Sequence, residues 1–337
     1  MRPSFRHALA LASLFLCPAG VFPVAAGAES PPPSPEKIVE AGPAAISTRL
    51  EIFGRDLERL RRFMGAPKAG ELDIGIHGAL PRDLYFQTLT LWQKTDRLSF
   101  EVMRIHSTPL QPAPGDIGQQ DILLGLEDAT RILRQVLQEL RIPSTAEPPP
   151  EPKVPADPFT AIVYLNRQLN LLLERHIGPS DVYMEITLAI GYSARILSRY
   201  PESDRIPAEP PFEPDKQPGD VYRRLIECLR SIARIFDHLG LPVLRIDPGR
   251  TDPDSLQPSD VYLVAAMIVS QLDFLHKFLD IAKAPPQPIY PGYRFPAHSY
   301  QRAGILQSQL TQLERFLATD QAALAKTRHD IPPVPAP

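Results

Sequence analysis

Seven histidines lie beyond the first thirty residues: His77, His106, His176, His238, His276, His298 and His329. No two are four residues apart, so no helical turn offers the paired imidazoles of a helix-borne zinc site. His106, His176 and His238 fall in or near the last turns of helical segments, where a partly charged imidazole suits the negative end of the helix dipole. A Cys-x-x-Cys-His haem attachment site, a glycine-rich phosphate loop and a Gly-x-Ser-x-Gly elbow are all absent from the sequence. The expectation is therefore a non-enzymatic protein with no cofactor and no metal.

Cys228 stands between Leu225 and Ile232 on one helical stripe and reads as a buried, inert thiol. Arg195 and Arg234 occupy similar positions in two segments and suggest an anion site. Arg234, however, is nine residues from Leu225, half a turn away from the apolar stripe, so a solvated position is expected. Gln271 shares a stripe with Ile268, Leu275 and Phe278, and Gln309 with Ile305, Leu313 and Phe316. Each glutamine needs a hydrogen-bond partner, which either fixes register between helices or orients a ligand in a groove. Tyr290, Tyr293 and Phe295 concentrate aromatic surface in a linker, where they cover the protein's own core or meet a partner. Together with the two glutamines they form the candidate groove.

The elements that position these residues are helices written many times. Pro-Ser-Asp-Val-Tyr at 179–183 and 258–262 and Pro-Gly-Asp-Val-Tyr at 218–222 are near-identical, with looser versions at Pro81, Pro114, Pro155 and Pro296. Aspartate there caps a first turn, and proline stops the preceding chain from entering the helix. Apolar residues then follow in steps of three and four, as in Val221, Leu225, Cys228, Ile232 and Phe236. The pattern predicts an all-α fold of eight long amphipathic helices, near 44–64, 83–105, 117–141, 158–176, 181–199, 220–239, 260–282 and 298–325.

Starts at 114 and 155 recur at 218 and 258, which suggests a duplicated block of about a hundred residues. The 40 prolines among 337 residues gather in the linkers. Extended proline-rich linkers at about 3.1 Å per residue reach back along a whole helix, so parallel neighbours are allowed. The short turn at Gly178-Pro179 predicts that the fourth and fifth helices form a tight antiparallel hairpin. Tandem four-helix bundles, 44–176 and 177–326, are expected, with one continuous helical-repeat array as the alternative.

Arg2, Arg6, the apolar run from Ala8 to Cys17 and the small residues ending at Ala28 fit a secretory signal peptide at 1–28. Export to the periplasm is expected, with secretion as the alternative, and with no integral membrane segment after cleavage. The proline-rich ends, 29–43 and 327–337, read as disordered tethers. Without Arg2 and Arg6 the 36 basic residues become 34 against 39 acidic ones, a net charge of about −5 that gives no reason to expect nucleic-acid binding. The functional expectation is an exported scaffold or adaptor for a protein or peptide partner, the alternative a periplasmic small-molecule-binding or sensory bundle.

Overall fold

A computed structural model describes residues 42–70, 75–108, 110, 117–143, 154–247, 252–320 and 323–325, all within one unit that begins at Val39. The expected signal peptide, residues 29–41 and the tail 327–337 lie outside the described residues. The protein is mostly helical. The helices are α1 Pro43–Phe63, α2 Pro81–Met103, α3 Gln119–Glu139, α4 Pro158–Asn170, α5 Pro179–Leu197, α6 Pro218–Leu239, α7 Pro258–Phe278 and α8 Pro296–Leu317. Two three-residue strands, β1 Gly75–His77 and β2 Arg245–Asp247, pair antiparallel with Ile76 opposite Ile246. The strands were not expected. They form where the linker ahead of α2 meets the linker ahead of α7.

The recurring start motif works differently from the expected cap. Proline is the first helical residue, and the aspartate two positions on reaches back to the amide ahead of the helix. Asp83, Asp121, Asp181, Asp220 and Asp260 accept such bonds from Leu80, Gly118, Gly178, Gln217 and Gln257 at 2.8 to 3.0 Å. In α8 the acceptor is His298 Nδ1, 3.1 Å from the Phe295 amide. Only α4 has the expected arrangement, in which Asp157 precedes the proline and accepts from the Thr160 amide at 2.8 Å.

Two helices, α4 and α8, end six or more residues early. α4 stops at Asn170 rather than 176, because the Glu101 carboxylate takes the Glu174 and Arg175 amides at 2.7 and 3.0 Å. Asn170 Oδ1 also accepts from the Ile177 amide at 3.0 Å and closes the turn. α8 stops at Leu317 rather than 325, and Asp320 Oδ1 then accepts from the Ala323 amide at 3.1 Å as a short new helical turn begins.

Packing falls into two rings. α1 and α2 each pack on both α3 and α4, while α5 and α6 each pack on both α7 and α8. The buried apolar side chains form two matching clusters, and α7 serves both by turning Leu263 and Met267 toward the first. Within each ring the helices run parallel. Arg49 meets Glu127 and, seven residues on in both helices, Asp56 meets Arg134, each pair at 2.8 Å. Arg234 meets Glu314 at 2.8 Å and His238 meets the Ala318 carbonyl at 3.1 Å four residues later. Pro179, Pro218, Pro258 and Pro296 converge on one point with Val182, Val221 and Val261. The motif thus sets proline and valine on the ring axis, and its aspartates place negative charge where four positive helix ends meet.

Between the rings the direction reverses. Along α2, Asp83, Gln87 and Gln93 meet Ser270, the Leu263 carbonyl and Tyr262 of α7, so the numbering falls as it rises. This arrangement brings the end of α4 to the starting end of α5, so residues 171–178 suffice as a link. It also corrects the expected hairpin, since α4 packs on α1, α2 and α7 and α5 on α7 and α8. Helix starts at 43, 81, 119 and 158 are followed 136, 137, 139 and 138 residues later by those at 179, 218, 258 and 296.

By length and composition α7 is apolar enough to cross a membrane, yet 83% of the relevant window is buried inside the protein. Its apolarity is that of a helix covered on every side by two cores.

Candidate functional site

Lys94 sits on the buried stripe Gln87, Leu91, Lys94 and Leu98 of α2, with a relative exposure of 1%. Its Nζ donates to the Asn166 carbonyl of α4 at 3.0 Å. The nearby carboxylates are already engaged: Asp260 holds Arg167 at 2.8 Å and Asp181 holds Arg97 at 2.9 Å. Among the described residues no carboxylate pairs with Lys94 directly. Burial therefore dominates and pushes its ammonium down to about 7, against the opposing pull of Asp260.

Glu185 lies one turn beyond Asp181 on α5. Burial pushes its carboxyl up to about 7, opposed by a hydrogen bond with Tyr262 of α7. The Tyr262 hydroxyl also lies 3.2 Å from Gln93 Oε1. Burial, then the Glu185 and Asp181 charges, push the phenol well above its ordinary value.

These groups line one cavity of about 350 Å³. Its walls are Thr90, Gln93, Lys94 and Arg97 of α2, Asp181, Met184, Glu185 and Leu188 of α5, and Tyr262 of α7. Asp96 of α2, Ile177 and, from the α7–α8 linker, Gln287 and Pro288 complete its lining. His106 stands at the rim, 2.8 Å from Asp96 and stacked on Phe100 at 4.3 Å. The arrangement presents a buried amine from α2 and a half-buried carboxyl from α5 in one cavity wall, with burial moving each toward about 7. Among the described residues no cluster of His, Cys, Asp and Glu is arranged to hold a metal.

The residues singled out from sequence lie elsewhere. Gln271 is fully buried in the α2–α7 contact, where its Nε2 donates to Asp83 Oδ1 and its Oε1 lies 3.3 Å from Arg82. Gln309 is fully buried between α8 and α5, donating to the Arg205 and Ile190 carbonyls at 2.6 and 3.3 Å. Tyr290, Tyr293 and Phe295 are at the surface with exposures of 47, 78 and 56%, so they do not cover the core. Arg175 lies over Tyr290, and Tyr293 meets Phe295 edge-on. None of the five lines the cavity, and the structure does not bring them together as one groove. Arg195 is exposed and Arg234 pairs with Glu314 at the surface.

Sequence reasoning missed Lys94 and Glu185, although each carries a local signal. Lys94 falls three residues after Leu91 and four before Leu98, a charge on an apolar stripe. Glu185 falls three residues before Leu188 and four before Ala189.

No protein-family model, no curated protein and no solved structure matches the chain.

Proposed function

We propose that the protein is an exported, non-enzymatic binder of a small polar molecule, held in the cavity between α2, α5 and α7. The observation that carries this reading is Lys94, a buried amine that lines roughly 350 Å³ of space with no carboxylate of its own. A buried charge without a counterion is costly, and a ligand that supplies the missing group removes that cost. The volume lies within the usual range of small-molecule sites. Its parallel rings, with helix starts spaced 136 to 139 residues apart, fit two tandem four-helix bundles descended from one duplicated unit.

The test is a thermal-shift screen of the chain beginning at Glu29 against small polar metabolites. A ligand at 100 times its dissociation constant stabilises by about 2.7 kcal/mol. The shift should vanish in Lys94→Gln, and a screen without any stabilising compound counts against the reading.

A second reading, an adaptor for a protein or peptide partner, is favoured by the exposed segment 289–295, in which Ile289 is 91% exposed. Capture of a saturable partner from periplasmic extract, lost on replacing Tyr293 and Phe295 by serine, would support it.

A further inference from the structure

Resting on the reading of the cavity as a ligand site, we propose that its occupant is a small zwitterion, its carboxylate set against Lys94 and its ammonium against Glu185. The two groups stand on different helices, α2 and α5, in the wall of one cavity. Neither has an oppositely charged side chain of its own among the described residues. The carboxylates and guanidiniums around Lys94 come from four helices: Asp260 of α7, Asp181 of α5, Arg167 of α4 and Arg97 of α2. They are paired with one another, Arg167 with Asp260 and Arg97 with Asp181. Glu185 is faced by Tyr262 of α7, a neutral donor, and influences Tyr192 on its own helix.

Beside the Asp96–His106 pair, which also lines it, the cavity therefore carries one amine and one carboxyl without a charged partner among the described residues. A monocarboxylate would satisfy Lys94 and leave Glu185 facing the ligand's apolar end; a simple amine would do the reverse. Only a molecule with both charges at opposite ends brings both side chains to their ionised forms with partners. Burial places both groups near about 7, so binding draws a proton onto Lys94 and releases one from Glu185. For a zwitterion these exchanges oppose one another. A monocarboxylate instead produces net uptake.

The test is titration calorimetry of the chain from Glu29 with unbranched ω-amino carboxylates from glycine to 6-aminohexanoate, alongside hexanoate, hexylamine and N-acetyl-6-aminohexanoate. The expected result is that one ω-amino carboxylate binds at least about tenfold tighter than the three single-function probes, a difference of about 1.4 kcal/mol. Its heat at pH 7 should depend less on the buffer's ionisation enthalpy than that of hexanoate does. Glu185→Gln should bring the zwitterion and hexanoate affinities together. Equal or tighter binding of hexanoate by the unaltered protein overturns the proposal and leaves the cavity reading intact. Absence of binding by all of these probes also overturns it, and the cavity reading then stands or falls with the wider metabolite screen.

Discussion

The Nζ of Lys94 in α2 lies 3.0 Å from the backbone carbonyl of Asn166 in α4, and that neutral oxygen is its only hydrogen-bond acceptor among the described residues. Burial disfavours the proton on an amine held this way, and it favours one on Glu185, which lines the same cavity. Unfolded, Glu185 would lose its proton near 4.5; folded, it keeps it to about 7, so its contribution to stability falls as pH rises through that window. Unfolded, Lys94 would keep its proton to 10.5; folded, it loses it near 7, so stability rises again between about 7 and 10.5. Urea midpoints of the ligand-free protein should therefore dip near pH 7. Glu185→Gln should flatten the acid limb and Lys94→Met the alkaline limb, and a midpoint that climbs steadily across neutrality would contradict both assignments.

Gln271 should matter for how the two rings register, although it lines no cavity. Asp83 accepts from the Leu80 amide of its own helix and from Ser270 and Gln271 of α7, while Arg82 lies over the Phe274 ring at 3.8 Å. Burial raises the Asp83 carboxyl, and its neighbours, Arg82 first, oppose that. Removing one donor from a buried acceptor costs about 1 to 3 kcal/mol. Gln271→Ala should lose that much in chemical denaturation, whereas Arg131→Ala, which breaks a surface pair with Asp128, should lose no more than about 1 kcal/mol.

The helix starts make a separate prediction. The Gln217 amide, then Arg223, lowers the Asp220 carboxyl, so its stabilisation is present above the ordinary carboxylate range and fades as pH falls through the lowered value. Asp220→Ala should cost about 1 kcal/mol near neutral pH and progressively less in acid. An unchanged denaturation midpoint at pH 7 would show that the returning hydrogen bond adds nothing.

Cys228 should be silent. It is fully buried in α6, and burial pushes its thiol up to about 12. A thiol-specific disulfide reagent should label it only as fast as the protein unfolds, with full labelling in denaturant. Rapid labelling of the folded chain would mean that the second core is open.

Eight helices were legible because each carries its own three-and-four spacing and a proline at or near its start. The direction of packing was not, because side-chain periodicity is the same for parallel and antiparallel neighbours. Pairs such as Asp56 with Arg134 are 78 residues apart and leave no local trace. The shortened α4 was equally hidden, since Glu101 stops it from another helix. The cavity takes Lys94 from one ring and Glu185 and Tyr262 from the other, and α2 reaches the second ring through the reversed α2–α7 contact. Gln271 and Gln309 drew attention as polar residues on apolar stripes, and the same logic applied to Lys94 would have reached the site.

The ligand reading turns most directly on replacing Lys94 by methionine and measuring unfolding free energy and ligand-induced thermal shift on the same protein at pH 7. If the amine is kept for a ligand, Lys94→Met gains about 1 to 4 kcal/mol, as when buried charge gives way to matched apolar volume, and no longer responds to ligand. A variant several kcal/mol less stable than the parent, or one that still responds to ligand, would show that Lys94 serves the fold and that the cavity is not a site built around it.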